Sequence, residues 1–319
     1  MADGDRPRRT LLRALVRVTV TVGILGYLLS MLDLRELLET LRRVRLAPFV
    51  AAVAVYVAGQ TLSAGKWALI GRAVGFGRSL AEYVRFYFIG MFFNLFGPST
   101  IGGDVVRALY LGEGRRRGLA FDTVVFDRVS GLVVLTALAA VALVAFPRWR
   151  FPWPVTATVV AVGIVLVAGW WTCPRLVRLL PQRNRLRRHV EDDLAPFWED
   201  RGLLVRVAAM SALFHVSQMW TQWVLARALG ASIPFSYCMT FHPLLSILAA
   251  LPVSLGGFGV REGGYVYFLG RIGIGAAVGV GMGLLGFAVM VAGGLLGGVF
   301  FLAAGARLPR LRGEARSAA

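Results

Sequence analysis

Apolar residues run with little interruption through six stretches of the chain, 11–32, 47–71, 119–146, 153–173, 202–229 and 273–304. Each approaches or exceeds the ~20 residues that an α-helix needs to cross the hydrocarbon core of a bilayer. Two further apolar stretches, 80–111 and 234–270, are broken near their middles, by glycine and proline at 97–103 and at 252–259. Segment 33–45 reads differently again. Its Leu34, Leu37, Leu38 and Leu41 recur at helical spacing among Arg35, Arg42, Arg43 and Arg45. That pattern predicts a helix lying flat on the membrane surface.

The charges decide how the broken stretches run. Arg6, Arg8 and Arg9 precede the first apolar run and no small-residue cleavage site follows it. An uncleaved first helix with a cytoplasmic N-terminus is therefore expected. The second run returns Lys66, Arg72 and Arg78 to the inner face, where Arg115, Arg116 and Arg117 also belong. So 80–111 has to enter and leave by one face, as a re-entrant hairpin. The next two runs go out and back, placing Arg175, Arg178, Arg183, Arg185, Arg187 and Arg188 inside. Run 202–229 exits, 234–270 forms a second hairpin from the outer face, and 273–304 leaves Arg307, Arg310, Arg312 and Arg316 inside. The basic excess then sits on the cytoplasmic side, as the positive-inside rule requires. The predicted fold is an all-α polytopic membrane protein with six spanning helices and two re-entrant helical hairpins. It would be multi-pass in the inner (plasma) membrane of a bacterial-type cell, with both termini cytoplasmic.

Composition supports the bilayer as solvent. Of 319 residues, 57% are hydrophobic and 16% charged, against about 25% charged in an ordinary soluble domain. The net charge of +18 would suit nucleic acid, but the arginines cluster at the ends of apolar runs, so no nucleic-acid partner is expected. Cys173 and Cys238 make neither a disulfide framework nor a metal quartet. His189, His215 and His242 show no metalloprotease spacing. Neither a metal nor a cofactor is expected, and nothing resembles a nucleotide-binding loop.

The two breaks are alike. Residues 98–107 (PSTIGGDVVR) align with 252–261 (PVSLGGFGVR) at an offset of 154, matching the proline, both glycines, a valine and the arginine. Nearly the same offset carries 47–71 onto 202–229 and 119–146 onto 273–304. A single membrane domain made of two repeat halves, 1–150 and 151–319, follows. Three crossings per half is an odd number, so the second half is inverted, an arrangement typical of transporters.

Gly102-Gly103 and Gly256-Gly257 permit tight turns and close backbone approach. A short helix starts after each, and its N-terminal amides favour an anion. Arg107 and Arg261 follow a turn later and would suit a phosphate. Asp104 and Glu262 complete a set of two acids and two bases. Such groups inside a membrane often mark a pathway. They fit equally a neutral structural lock, with Asp104 capping its half-helix and the glycines serving only packing. Asp127 and Arg128, in Phe126-Asp-Arg-Val-Ser-Gly131, read as a pair that touches the first hairpin or gates the inner mouth, or as an interfacial ion pair. Gln60, Gln218, Gln222 and His215 read as interhelical hydrogen bonds. Trp67, Trp149, Trp153, Trp170 and Trp171 read as interfacial belt residues. Gly293, Gly294, Gly297 and Gly298 permit close helix packing, within the chain or between two copies. Segment 175–201, basic then acidic, fits a surface helix on anionic lipid or a solvated connector.

The stretches NLFGPSTIGGDVVR, VVFDRVSGL and LPVSLGGFGVREGGYVYFL resemble the signatures of the lysylphosphatidylglycerol synthase transmembrane-region family, also called the flippase-like domain. The resemblance extends from the first helix to about residue 304, and Lys66-Trp67 resembles the family's basic-Trp element, with Lys where Arg is commoner. It implies a membrane protein tied to moving lipids between leaflets. It marks Gly102, Gly103, Asp104, Arg107, Gly256, Gly257, Arg261 and Glu262 as substrate-binding residues, and Asp127 and Arg128 as gating or coupling ones. Bifunctional members carry a soluble aminoacyl-transferase domain. None is recognisable here, so lysyl transfer is not expected. The expected function is a flippase, not an enzyme, for an anionic phospholipid or a polyprenyl-phosphate-type lipid. The alternative is a non-transporting scaffold for a lipid- or glycolipid-synthesis enzyme. A membrane enzyme using Asp104, Asp127 and Glu262 lacks a metal cluster or a nucleophile–base set. Membrane lipids are the expected partners, with a second copy of the chain or a lipid-synthesis enzyme as the protein partners left open.

Overall fold

The computed structural model describes residues 34–96, 101–149, 151–184, 194–250 and 257–306, with Thr19, Gly23, Gly26, Ser30, Arg187, Val190 and Glu191 besides. Among the described residues there are eleven α-helices and no strand. They are α1 (Leu34–Arg42), α2 (Leu46–Ala73), α3 (Leu80–Phe96), α4 (Ile101–Leu111), α5 (Arg117–Ala145), α6 (Trp153–Val177), α7 (Ala195–Glu199), α8 (Arg201–Ala228), α9 (Phe235–Ala250), α10 (Val260–Gly270) and α11 (Ala276–Ala303). Five of these, α2, α5, α6, α8 and α11, are long and apolar enough to cross a membrane. They match five of the six predicted spans. The sixth, 11–32, lies outside the described residues except at Thr19, Gly23, Gly26 and Ser30, all helical. The amphipathic segment forms α1, with Leu37 buried and Leu34 and Leu38 exposed.

Both broken stretches fold as antiparallel helix pairs. In the first, Phe86 of α3 stacks on Tyr110 of α4 at 5.2 Å, Gly90 abuts Gly103, and Asn94 Oδ1 accepts the Gly103 N–H at 2.7 Å. In the second, Tyr237 of α9 donates to the Phe268 carbonyl of α10 at 2.5 Å, Leu245 covers Gly264, and Ala249 meets Gly257. Sequence separation shrinks steadily toward each turn, as in a hairpin. The second arms have 11 residues, about 16 Å at 1.5 Å per residue, roughly half the hydrocarbon thickness.

The chain divides into two compact units. One takes Met1–Val55, Phe146–Trp149 and Gln218–Met290, with the second hairpin. The other takes Tyr56–Ala145, Arg150–Ser217 and Val291–Ala319, with the first.

Lipid offers no hydrophobic drive for helices to associate, so small residues and polar contacts hold the bundle. In the second unit, the C-terminal half of α11 lies on α3 through glycines. Gly297 sits on the Phe88 carbonyl, Gly294 on Leu95 and Gly298 on Phe92, while Gly293 meets Tyr56 of α2. These glycines therefore serve packing within the chain. Arg116 ties the α4–α5 link to the α2–α3 turn, donating to the carbonyls of Val74 at 2.8 Å and Gly75 at 3.2 Å.

Tryptophan placement corrects one expectation. Trp153 and Trp171 are exposed, as belt residues should be. Trp67 is fully buried: its indole N–H donates to Thr123 Oγ1 at 2.9 Å and its ring meets Tyr83 edge-on at 4.9 Å. Trp170 packs on Phe126 at 4.6 Å. Sequence position near a helix end does not distinguish a residue facing lipid from one facing the next helix.

Candidate functional site

Three helices of the second unit bring five ionic side chains together: Lys66 from α2, Asp104 and Arg107 from α4, and Asp127 and Arg128 from α5. Lys66 Nζ lies 2.9 Å from Asp127 Oδ1 and donates to the Asp127 carbonyl at 2.9 Å. Asp127 Oδ2 accepts from Arg107 Nη1 at 3.0 Å. Arg107 also donates from Nε to Asp104 Oδ1 at 3.1 Å. Asp104 in turn is gripped two-fold by Arg128, from Nε at 3.0 Å and Nη2 at 3.0 Å. The charges alternate, Lys66(+), Asp127(−), Arg107(+), Asp104(−), Arg128(+), and sum to one excess positive charge.

Exposure grades along this series. The Lys66, Asp127 and Arg107 side chains are 3–4% exposed, Asp104 14% and Arg128 51%. A lone ion this deep would be prohibitively costly, and each carboxylate offsets that cost for two cations. The Arg107 guanidinium is further held 5.0 Å from the rings of both Trp67 and Tyr87, a cation–π sandwich. Tyr87 is fixed by its hydroxyl on Ser63 Oγ at 3.0 Å. Arg107 is thus saturated by its neighbours, and Arg128 is the accessible cation. A cavity of about 30 Å³ lies at the hairpin tip, lined by Tyr87, Asn94, Gly103, Asp104, Arg107 and Arg128 among others. It has room for about one water.

Asp104 does not cap its half-helix. It lies three residues inside α4 and is occupied by the two arginines. Gly103 is needed for close approach, since an added Cβ would collide with the Gly90 carbonyl oxygen, whereas Gly102 faces open space.

The second hairpin carries a different arrangement in the first unit. Gly257 and Gly259 both take φ +81°, a left-handed geometry that favours glycine. Glu262 is buried and caps α10, accepting the Gly259 N–H at 2.6 Å. Arg261 reaches Glu262 only at 3.8 Å and lies 5.6 Å from the Phe258 ring centre. Its Nε and Nη2 are buried without a hydrogen-bond partner. Gly256 lies outside the described residues. Among the described residues, no group of His, Cys, Asp and Glu could hold a metal ion.

A family model described as the lysylphosphatidylglycerol synthase TM region matches residues 14–298, which include every residue of both hairpin sites. The chain belongs to this family. A UPF0104 membrane protein of Methanothermobacter thermautotrophicus is 23% identical over 293 residues, covering 82% of this chain and 87% of the relative. No solved structure matches the chain. Family membership and five apolar helices together make it a multi-pass membrane protein.

Within this member of the lysylphosphatidylglycerol synthase TM region family, the sequence-predicted Gly103, Asp104, Arg107, Asp127 and Arg128 meet in one place. Sequence reasoning left out Lys66 as their partner, and Trp67, Tyr87 and Asn94 as the walls. A signal for Lys66 was there: it is the single lysine of the chain, beside 34 arginines, and it stands inside an apolar run. A compact ammonium with three donors suits two acceptors of one residue. Two of the predicted polar groups do bridge helices: His215 Nε2 lies 3.0 Å from the Gly131 carbonyl, and Gln222 Oε1 accepts from the Tyr265 hydroxyl at 2.6 Å.

Proposed function

We propose that this protein is a lipid translocase, moving an anionic phospholipid or a polyprenyl-phosphate-type lipid between leaflets of the inner membrane. In this reading six helices span, both hairpins are re-entrant, the two halves form an inverted repeat in one membrane domain, and both termini are cytoplasmic. The observation that carries the proposal is the graded ion series ending in a half-exposed Arg128 beside the Gly103 turn, with one positive charge in excess. A phosphate supplies the missing negative charge and can accept the same two-fold grip that Asp104 now receives. The Lys66–Asp127–Arg107 part holds the geometry and Asp104 is the competitor that the head group displaces. The tails stay in lipid, so the cavity needs to open only for the head group. In the second hairpin, Arg261 has guanidinium donors left over for an anion of its own. No bond is made or broken, and the role is not enzymatic.

The test is a reconstituted vesicle assay with fluorescent phosphatidylglycerol or a polyprenyl-phosphate probe, read by quenching of the outer leaflet. The wild type should equilibrate the probe well above empty vesicles, and Arg128→Gln, which leaves the buried pairs intact, should not. Wild-type rates equal to empty vesicles would overturn translocation and favour a scaffold. Phosphate release from the lipid by the purified protein would overturn the non-enzymatic part.

A further inference from the structure

A second cationic cavity lies apart from the hairpin site, between the end of α6 and the start of α8. It has a volume of about 650 Å³ and is lined by Trp171, Arg175, Arg178, Trp198, Arg201 and Leu204 among others. That volume falls in the range of small-molecule sites, roughly 300–1,000 Å³. Its walls are preorganised. The Trp198 indole N–H donates to the Trp170 carbonyl at 2.9 Å, and its ring meets Phe126 at 5.4 Å.

The nearby acids are largely spent elsewhere. Arg187 grips Glu191 at 3.0 and 3.1 Å. Asp200 caps α8 through the Leu203 N–H at 3.0 Å and pairs with Arg206 at 3.2 Å. Glu191 also lines the cavity, 3.9 Å from Arg178, so among the described residues Arg175, Arg178 and Arg201 face Glu191 and Glu199, leaving the lining one positive charge in excess. Beside it α6 presents apolar surface: Gly163 and Val177 are its buried residues, Leu176 is 54% exposed, and Leu179, just past its end, is 80% exposed. A cationic, Trp-walled cavity at the end of an exposed apolar helix matches a molecule with an anionic head and apolar tails. Basic pockets at the ends of membrane helices take such head groups, and tryptophan favours the same depth.

We infer that this cavity is a docking site for the phosphate of an anionic phospholipid, held by Arg175, Arg178 and Arg201 with its acyl chains along α6. The site does not depend on translocation and holds for a scaffold equally well.

Native mass spectrometry of the full chain, released from nanodiscs of phosphatidylcholine with a minor fraction of phosphatidylglycerol, tests it. The wild type should retain phosphatidylglycerol in preference to phosphatidylcholine. Arg175→Gln combined with Arg201→Gln should weaken that retention about tenfold or more, from the loss of two charge-assisted contacts. Arg206→Gln removes one charge outside the cavity and should leave retention unchanged. Restoring the charges with Arg175→Lys and Arg201→Lys should recover most of it, separating lost binding from lost folding. Equal retention in wild type and the double Gln variant, or equal weakening by Arg206→Gln, would overturn the site. Displacement of the lipid by millimolar inorganic phosphate would overturn the lipid and leave a free-anion site.

Discussion

The two hairpins share a motif and an antiparallel build but solve the problem of a deep arginine in opposite ways. Arg107 is closed off by two carboxylates and two aromatic rings. At the 154-residue offset, Asp104 aligns with Phe258 and Asp127 with Gly281. The second hairpin thus lacks both acids, and Arg261 faces a phenyl ring with two buried donors unused. Glu262, which looks like the missing partner in sequence, is turned onto its own helix start at Gly259. The shared glycines and arginine therefore conceal a division of labour, with one ion-locked arm and one whose cation is underused.

The largest effect that separates the two belongs to Asp127. Asp127→Ala strands Lys66 as a buried cation and leaves Arg107 with Asp104 alone, and breaking a buried pair in this way costs about 3–5 kcal/mol. SDS-titration unfolding of the purified protein should show that loss. Glu262→Gln, which can still accept from Gly259 N–H, should lose far less. Similar losses in both would erase the contrast.

Glycine packing comes next. At Gly103 an added Cβ strikes backbone, the Gly90 carbonyl oxygen, so Gly103→Ala has to part the two arms. At Gly264 the Cβ meets only Leu245 Cδ1, the end of a flexible side chain. Overpacking that can relax costs about 1–3 kcal/mol, so Gly264→Ala should fall in that range and Gly103→Ala above it in the same unfolding assay.

How far the chain announced this can be argued from particular residues. The helix ends and both hairpins were legible because apolar run length and Gly-Pro breaks report directly on what a bilayer tolerates. Asp104 and Arg107, and separately Asp127 and Arg128, stood out as candidates from charges placed where charge is expensive; that the two pairs meet in one place did not. Which charge pairs with which was not legible, because pairing depends on helix rotation. Lys66 meets Asp127 across 61 residues of chain, while the adjacent Arg261 and Glu262 approach only to 3.8 Å, without a hydrogen bond. Trp67 misled for the same reason.

The division of labour can be reversed. Phe258→Asp places an acid where the first hairpin has Asp104, three residues before Arg261, within reach of the idle guanidinium donors. If Arg261 works by taking a phosphate, translocation should drop about tenfold, the equivalent of ~1.4 kcal/mol, while unfolding stability holds or rises. A stability loss of several kcal/mol would instead mean that the new acid finds no partner and that the phenyl ring is what Arg261 requires.

The smallest difference lies at the hairpin bases. Glu82 closes the start of α3, accepting the Ser79 N–H at 2.8 Å, while the Ser79 hydroxyl caps Glu82 N–H at 3.3 Å; the first turn of α9 has no acid. The Ser79 backbone bond, then its hydroxyl, holds the Glu82 carboxyl below the ordinary carboxylate range. A depressed value means that this stabilisation is complete above the unfolded carboxylate pKa and fades as pH falls through the folded one. Ser79→Ala should cost about 1 kcal/mol at neutral pH, and less in acid. Amide exchange at the start of α3 should therefore speed up on acidification beyond its intrinsic pH trend in the wild type but not in Glu82→Gln, with the start of α9 indifferent in both. Equal pH responses at the two bases would place the sensitivity elsewhere.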